Sequence, residues 1–159
     1  MSLIRPAVDA DGPLVARLIA DVFAEYEGCP FVAAEFPELA APATHYRDRG
    51  GGLWVVEADG GVIGSLGLSC VDGGPIFELN KVYLAASHRG SGLAQRLYAL
   101  AETEARAKGA KALRLWTDTR FAAGHRFYEK HGFRRLPVVR YLADATHAWE
   151  FAYLKEFPA

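Results

Sequence analysis

Residues 53–85 constrain the fold more than any other part of this 159-residue chain. Their sequence, LWVVEADGGVIGSLGLSCVDGGPIFELNKVYLA, contains apolar runs that are separated by the tripeptide DGG at 59–61 and again at 72–74. Such tripeptides supply the positive-φ residues that hairpin turns require. We therefore predict three consecutive antiparallel strands, the third over residues 75–84.

A strand and two helices are predicted before these strands. A short strand at residues 3–7 precedes Asp9, the expected N-cap of a helix that ends near Tyr26. Its apolar stripe consists of Leu14, Leu18, Ile19, Val22 and Phe23. The next stretch is rich in proline and glycine, which favours a loop with a second short helix at about residues 43–49.

Alternating helices and strands are predicted after the sequence SHRGSG at 87–92. Apolar residues recur at steps of four, as in a helix buried on one face: Leu93, Leu97, Ala101 and Ala105. The strand ALRLWTD follows, and we expect it to be parallel to the preceding strand because a helix separates them. A shorter helix and two strands complete the chain, at residues 121–131, 133–141 and 147–155.

These elements predict a single α/β domain over residues 1–159 with an α+β mixed sheet. We expect about seven strands, antiparallel in the N-terminal part and with one central parallel pair, and about four helices. No internal repeat or linker divides the chain.

Charge and cysteine content exclude several classes of function. The chain has 18 Lys and Arg against 19 Asp and Glu, which disfavours a nucleic-acid or membrane-surface partner. Its apolar runs are shorter than the ~20 residues of a membrane span, and the start MSLIRPAVD lacks a signal-peptide core, so we expect a cytoplasmic protein. Cys29 and Cys70 form neither a disulfide framework nor a zinc pattern, and His45 and His125 lack a second ligand at metal spacing. No metal site is predicted.

The turn between the third strand and the following helix offers a site for an anion. Gly90 and Gly92 let a phosphate approach the backbone N–H groups at the helix start, and Arg89 can add charge-assisted hydrogen bonds. The sequence after Gly92 lacks the Lys-Ser/Thr of a Walker loop. Gln95 stands where a dinucleotide fingerprint has its third glycine, and the antiparallel strands before the turn do not fit a doubly wound domain.

Two motifs resemble the GNAT superfamily of acetyl-CoA-dependent N-acetyltransferases. RGSGLA at 89–94 matches that family's signature Arg/Gln-x-x-Gly-x-Gly/Ala between its fourth strand and the next helix, and FYEKHGF at 127–133 is similar to its later signature. Together with ELNKVYLAASH, the resemblance spans residues 78–136. It implies that acetyl-CoA donates an acetyl group to a primary amine of a small molecule or a protein, by direct attack in a ternary complex.

The resemblance also implies which residues bind acetyl-CoA. Main-chain groups of Val82, Tyr83 and Leu84 correspond to a strand that bulges and leaves its neighbour, and the apolar step from Leu79 to Val82 is compatible with a bulge. The turn contributes Arg89, Gly90, Ser91, Gly92, Leu93 and Ala94. Many relatives have asparagine where this chain has Phe121, and Thr117 or Arg120 can replace it.

Candidate catalytic residues follow from the same resemblance and from the need to move protons. Tyr128 corresponds to the family's general acid, which protonates the departing thiolate. Glu78 is the candidate base, acting directly or through a water, and Asp118 and Glu57 are alternatives.

The acceptor is less defined by the sequence. The segment EYEGCPFVAAEFPEL at 25–39 has four acidic residues and no basic one, which favours a cationic amine or is simply a solvated loop. Two other functions stay open, a non-catalytic acyl-CoA-binding module and a dinucleotide-dependent oxidoreductase. The oligomeric state is also open, a homodimer included.

Overall fold

One mixed sheet of seven strands runs through the molecule in the computed structural model, which describes residues 1–159. The strands are β1 (Ser2–Pro6), β2 (Gly52–Ala58), β3 (Gly61–Cys70), β4 (Ile76–Leu84), β5 (Ala112–Asp118), β6 (Arg134–Tyr141) and β7 (Trp149–Glu156). The helices are α1 (Gly12–Phe23), α2 (Pro42–Asp48), α3 (Leu93–Ala107) and α4 (Ala122–Lys130). The strand order is β1-β2-β3-β4-β5-β7-β6, and only β4 and β5 pair in parallel. The predicted α/β class, mixed sheet and four helices are confirmed.

The sheet buries a separate core on each face. α3 and α4 cover one face, where Leu97 is 2% exposed and Tyr153 is fully buried. α1 covers the other face, where Val15 and Ile19 are fully buried. Each large buried side chain contributes about 1.5–3 kcal/mol, so both layers of helices are held firmly against the sheet.

The start of α1 differs from its prediction. A 3-10 turn at Asp9–Asp11 precedes the helix, and Asp9 accepts hydrogen bonds from the amide and hydroxyl of Thr44 at 2.8 and 2.6 Å instead of capping α1. The buried stripe begins at Val15, which leaves Leu14 36% exposed at its edge. The prediction of Asp9 as the cap and Leu14 as a core residue was therefore wrong.

β4 and β5 separate in the middle of the sheet. They pair only where Ile76–Glu78 lies beside Ala112–Arg114, and beyond this point no strand adjoins β4 on that side. Main-chain groups of β4 that point into the resulting gap have no strand partner there.

The bulge in β4 is confirmed. The register between β3 and β4 shifts within residues 65–67, and Lys81 at this point has a φ of 52°. The Lys81 carbonyl accepts a hydrogen bond from the Ser65 hydroxyl at 2.6 Å. A bulge increases the local twist of a strand, which carries the end of β4 away from β5.

Gly51, the residue before β2, packs closely against the backbone of β3. A Cβ at this position would lie 1.7 Å from the carbonyl oxygen of Leu68. We expect Gly51→Ala to lower the free energy of unfolding by about 3 kcal/mol, because overpacking forces the backbone to move. Urea denaturation measures the loss. Gly61→Ala is the control, since a Cβ there would lie 3.9 Å from its nearest neighbour, and equal stability of the two variants would contradict the prediction.

Candidate functional site

The gap between β4 and β5 joins two cavities. The first cavity, of about 490 Å³, is bordered by α3 and α4. The second cavity, of about 250 Å³, lies over the sheet residues Glu78, Trp116 and Glu150. Residues that line both are Val82, Tyr83, Thr117, Phe121 and Tyr128. A molecule in the first cavity can therefore reach a molecule in the second through the gap.

The glycine turn, residues 89–92, lies at one end of the first cavity. Gly90 and Gly92 have φ angles of 78° and 84°, a region that favours glycine. The amides of Gly90, Ser91 and Gly92 donate no hydrogen bond within the protein, and the first amides of α3 follow them directly. A Cβ at Gly90 would meet nothing within 4 Å. Unpaired amides beside open space at a helix N-terminus form a site for a phosphate group.

Most residues predicted to bind the donor line the first cavity. These are Val82, Tyr83, Leu84, Arg89, Gly90, Gly92 and Ala94. Leu93 is 5% exposed and belongs to the core, so only its main chain can contribute. The Ser91 hydroxyl donates to the carbonyl of His88, which stabilises the turn.

Arg89 has a structural role that the sequence did not reveal. Its guanidinium contacts both carboxylate oxygens of Glu25, at 2.5 and 2.8 Å, and donates to the carbonyl of Leu84 at 3.0 and 3.2 Å. It thereby ties the segment after α1 to the end of β4. The free cations of this cavity are instead Arg126 and Lys130, four residues apart on one side of α4. That spacing was present in the sequence as a possible anion-binding signal.

Tyr128 lies at the boundary of the two cavities. Its side chain is 7% exposed, and its ring packs against Phe133 and Tyr153 at centroid distances of 6.0 and 5.9 Å. The hydroxyl makes no hydrogen bond within the protein. Burial, and secondarily Tyr153, raises the pKa of Tyr128 well above its usual value. The hydroxyl therefore keeps its proton at neutral pH and can donate it to a group in the gap.

Aromatic and charged side chains form the walls of the second cavity. The aromatic ones are Phe23, Phe36, Tyr83, Trp116, Phe121 and Tyr128. The carboxylates are Glu78, Asp118, Asp144 and Glu150, and the cations are Lys81 and Arg140. This combination suits an amine that has an apolar body.

Glu78 and Asp118, two of the sequence candidates for the base, lie in this cavity and are held by cations. The two Glu78 oxygens accept from Arg114 Nε at 3.0 Å and from Asn80 Nδ2 at 3.1 Å. Both oxygens of Asp118 accept from the Arg120 side chain, at 3.0 and 2.7 Å. The third candidate, Glu57, pairs with an arginine of β1 and lines neither cavity, because β2 lies two strands away from the gap. Glu57 is therefore excluded.

Glu150 is the carboxylate that sequence reasoning missed. It lies on β7 with Asp118 on one neighbouring strand and Arg140 on the other, and its side chain is 15% exposed. Oε1 accepts from Arg140 Nε at 2.8 Å, while Oε2 has no partner in the protein. Burial, opposed by Arg140 and reinforced by Asp118 and Asp144, raises the pKa of Glu150. No local motif marks this residue, because its surroundings depend on β7 lying between β5 and β6.

The acidic segment at 25–39 is mostly occupied by contacts within the protein. Glu25 pairs with Arg89, Glu38 pairs with Lys81 at 3.2 Å, and Glu35 accepts from the amide of Ala145 at 2.9 Å. Three of its four carboxylates thus stabilise loops and strands. Only Glu27 of this segment has no partner in the protein, so the carboxylates on the sheet are the main source of attraction for a cationic acceptor.

Phe121, where the resemblance led us to expect an asparagine, lies in an aromatic environment. Its ring packs on Phe23 and Tyr26, at centroid distances of 6.1 and 4.8 Å. Arg120 donates to the carbonyls of Gly28 and Thr146, both at 3.2 Å, and so ties together the two loops over the second cavity. Thr117 is the other predicted substitute, and it lines both cavities.

The structure has neither a metal-binding cluster nor a membrane-spanning helix. No three His, Cys, Asp or Glu side chains are close enough to one another to hold a metal ion. None of the helices combines the length and the apolar character that crossing a bilayer requires. Cys29 and Cys70 are both free thiols.

Comparisons with known proteins agree on one family. The sequence model of the acetyltransferase (GNAT) family matches residues 19–133. The chain is 34% identical over 131 residues to the uncharacterized N-acetyltransferase YjgM of Escherichia coli (strain K12), a match that covers 79% of this chain and 78% of that protein.

Two solved structures share the fold over nearly the whole chain. One is an acetyltransferase of the GNAT family from Staphylococcus aureus Mu50, with a TM-score of 0.83 and 18% identity over 99% of this chain and 100% of that chain. The other is yncA from Salmonella typhimurium, solved with its cofactor acetyl-CoA, with a TM-score of 0.74 and 20% identity over 99% of this chain and 94% of that chain.

Proposed function

This chain belongs to the GNAT acetyltransferase family, and from that premise we propose that it transfers the acetyl group of acetyl-CoA to a small cationic primary amine in a ternary complex. The observation that carries the proposal is the gap that joins the two cavities beside Tyr128. The donor occupies the first cavity and the amine the second. The thioester and the amine then meet at the gap.

Donor binding is supported by the groups that the first cavity presents. The open amides of the glycine turn accept the pyrophosphate, and Arg126 and Lys130 supply positive charge along α4. Main-chain groups of Val82, Tyr83 and Leu84 that β5 has left unpaired bind the amide-containing arm of CoA. The acetyl end is thereby delivered to the gap.

The proposal also considers which residues act as the acid and the base. Tyr128 protonates the CoA thiolate as the C–S bond breaks, supported by its place between the two cavities and by a hydroxyl that makes no hydrogen bond within the protein. The sequence indicated Glu78 as the base, but both oxygens of its carboxylate in the second cavity already accept hydrogen bonds from Asn80 and Arg114. We further propose a cytoplasmic location, supported by the two free thiols.

Ligand-dependent melting tests the choice of donor. Acetyl-CoA at about 100 times its Kd adds about 2.7 kcal/mol to the stability of the protein. For a chain of this length that corresponds to a rise in Tm of about 5–10 °C, whereas NAD is expected to leave Tm unchanged. Protection by NAD alone would reject acetyl transfer in favour of an oxidoreductase.

Release of free CoA thiol tests turnover. The acceptors are 2-phenylethylamine, n-hexylamine, spermidine and a peptide with a free N-terminal alanine, each mixed with acetyl-CoA. We expect the amines with an apolar body to give the highest rates, because aromatic rings line the second cavity. Protection by acetyl-CoA without thiol release from any amine would instead indicate a binding module.

A further inference from the structure

We propose that Glu150 binds the ammonium group of the acceptor and removes its proton, so that the base of the reaction lies on β7 rather than on β4. The proposal rests on the proposed acetyl transfer. Four carboxylates line the second cavity, and they differ in what already occupies their oxygens. That difference leaves Asp144 and Glu150, and the position of Glu150 on the sheet, where Arg140 orients its carboxylate, selects Glu150.

Availability of oxygen atoms separates the four groups. Both oxygens of Glu78 accept hydrogen bonds from protein side chains, and so do both oxygens of Asp118. Asp144 uses Oδ1 to accept from the amide of Ala148 and the hydroxyl of Thr146, which fixes the turn between β6 and β7. Oδ2 of Asp144 and Oε2 of Glu150 have no protein partner, and of these two residues only Glu150 lies on a strand of the sheet.

Arg140 orients this carboxylate. Its Nε donates to Glu150 Oε1 at 2.8 Å, and its guanidinium lies 4.1 Å from the centroid of the Trp116 ring. Contact with the ring face restrains the guanidinium, so the direction of the carboxylate is also fixed. Arg140 is thus a positioning residue, and Oε2 is the atom left to meet the acceptor.

The charges around Glu150 favour both the binding of an ammonium group and the removal of its proton. The ionisable and charged side chains that share its cavity are Glu78, Lys81, Tyr83, Asp118, Tyr128, Arg140 and Asp144, with Arg120 beside Asp118 and Cys29 in the loop after α1. Lys81 pairs with Glu38, and Arg114 pairs with Glu78. Arginines pair with Asp118 and Glu150, but no cation pairs with Asp144. The unpaired carboxylate gives this end of the cavity a negative excess, which attracts an ammonium group.

The same surroundings set the strength of the base. Burial, together with Asp118 and Asp144, raises the pKa of Glu150 in spite of the opposing Arg140. A carboxylate with a raised pKa holds a proton more strongly and removes one from an ammonium group more readily. Catalysis needs the ionised form, so kcat/KM should fall as the pH decreases through this raised pKa.

Protons and bonds balance in the following sequence. Oε2 of Glu150 takes one proton from the R–NH3+ group and later releases it to solvent. The neutral amine attacks the thioester carbon, a C–N bond forms, and the C–S bond breaks. The thiolate takes the proton of Tyr128, and the tyrosine recovers a proton from the nitrogen of the new amide. The products are R–NH–acetyl, CoA thiol and one proton.

The test compares the pH dependence of thiol release in Glu150→Gln and in the native protein. Both proteins are assayed with acetyl-CoA and one amine. That amine is the acceptor, among the four tested for thiol release, that the native protein acetylates fastest. We expect kcat of the variant to be about 100-fold lower near pH 7, with the acidic limb that Glu150 causes missing from its profile. The rate should recover as the pH approaches the pKa of the amine, because more of the substrate is then already neutral.

Three further variants make the result decisive. Glu156→Gln changes an exposed acid at the other end of β7 and should leave the profile unaltered. Glu150→Asp keeps a carboxylate and should retain the acidic limb at a reduced rate, which also provides a result if the glutamine variant fails to fold. Glu78→Gln should keep the acidic limb, and its loss there would move the base back to Glu78.

Two outcomes separate the failure of this proposal from the failure of acetyl transfer. In the first outcome, the native protein is active and the Glu150→Gln variant has the same rate and pH profile. This result would overturn the role of Glu150 and leave the proposed function intact. Absence of thiol release by the native protein with every amine would reject the transferase function, and the role of Glu150 with it.

Discussion

Tyr128→Phe is expected to lower kcat by about 1,000-fold, within the 10²–10⁴ that proton transfer by a positioned side chain contributes. The change removes a hydroxyl that makes no hydrogen bond in the protein and keeps the ring that packs on Phe133 and Tyr153. The thiolate then has to leave without a nearby proton donor. Steady-state thiol release measures kcat, and calorimetric titration measures the Kd of acetyl-CoA, which should stay the same.

A second tyrosine provides the matched control. Tyr141 on β6 is 46% exposed and lines neither cavity, so Tyr141→Phe makes the same chemical change at a distance. We expect it to retain native turnover. If Tyr128→Phe also keeps the native kcat, the tyrosine is a core residue and the proton reaches the thiolate from another donor.

Gly90→Asp is expected to weaken acetyl-CoA binding by about 10- to 100-fold. The substitution puts a side chain into the open space beside the unpaired amides and adds a negative charge where the pyrophosphate binds. Loss of one hydrogen bond to a charged group costs about 1.5–3 kcal/mol, which agrees with that change in Kd. Titration calorimetry with acetyl-CoA measures it directly.

A substitution at Gly60 is the control for this experiment. It separates the strain of a non-glycine residue at positive φ from the loss of acetyl-CoA binding. Gly60 has a φ of 76°, close to the 78° of Gly90, and a Cβ at either glycine would meet nothing within 4 Å. Gly60→Asp in the turn between β2 and β3 should therefore cost similar stability and leave the Kd unchanged. Equal affinities of the two variants for acetyl-CoA would remove the glycine turn from the donor site.

The elements of the fold could be predicted because their signals are local. The DGG turns, the stripe of α3 and the strand ALRLWTD each need only a few neighbouring residues, and the structure confirms them. The start of α1 was wrong because Asp9 binds Thr44, which is 35 residues away in the sequence. Local patterns contain no information on such a partner.

The proposed donor side could also be predicted from the sequence, because its glycines and Tyr128 lie in two contiguous motifs. The acceptor side could not. Glu150 acquires its neighbours only when β7 inserts between β5 and β6, and the acids of the segment at 25–39 are used by distant cations. The residues proposed to bind the amine are therefore brought together by strand order rather than by spacing in the sequence.

The bulge at Lys81 shifts the alternation of side chains along β4 by one residue. Before it, Phe77 and Leu79 face the core under α3 and α4, whereas after it Val82 and Leu84 take that side. Odd-numbered side chains give way to even-numbered ones, and Tyr83 is directed towards the core of α1. In a regular strand of the same sequence, without the bulge, the alternation set at Phe77 would bring Tyr83 to the α3 side and Val82 to the other. One inserted residue thus decides which face of the sheet each later side chain of this strand occupies.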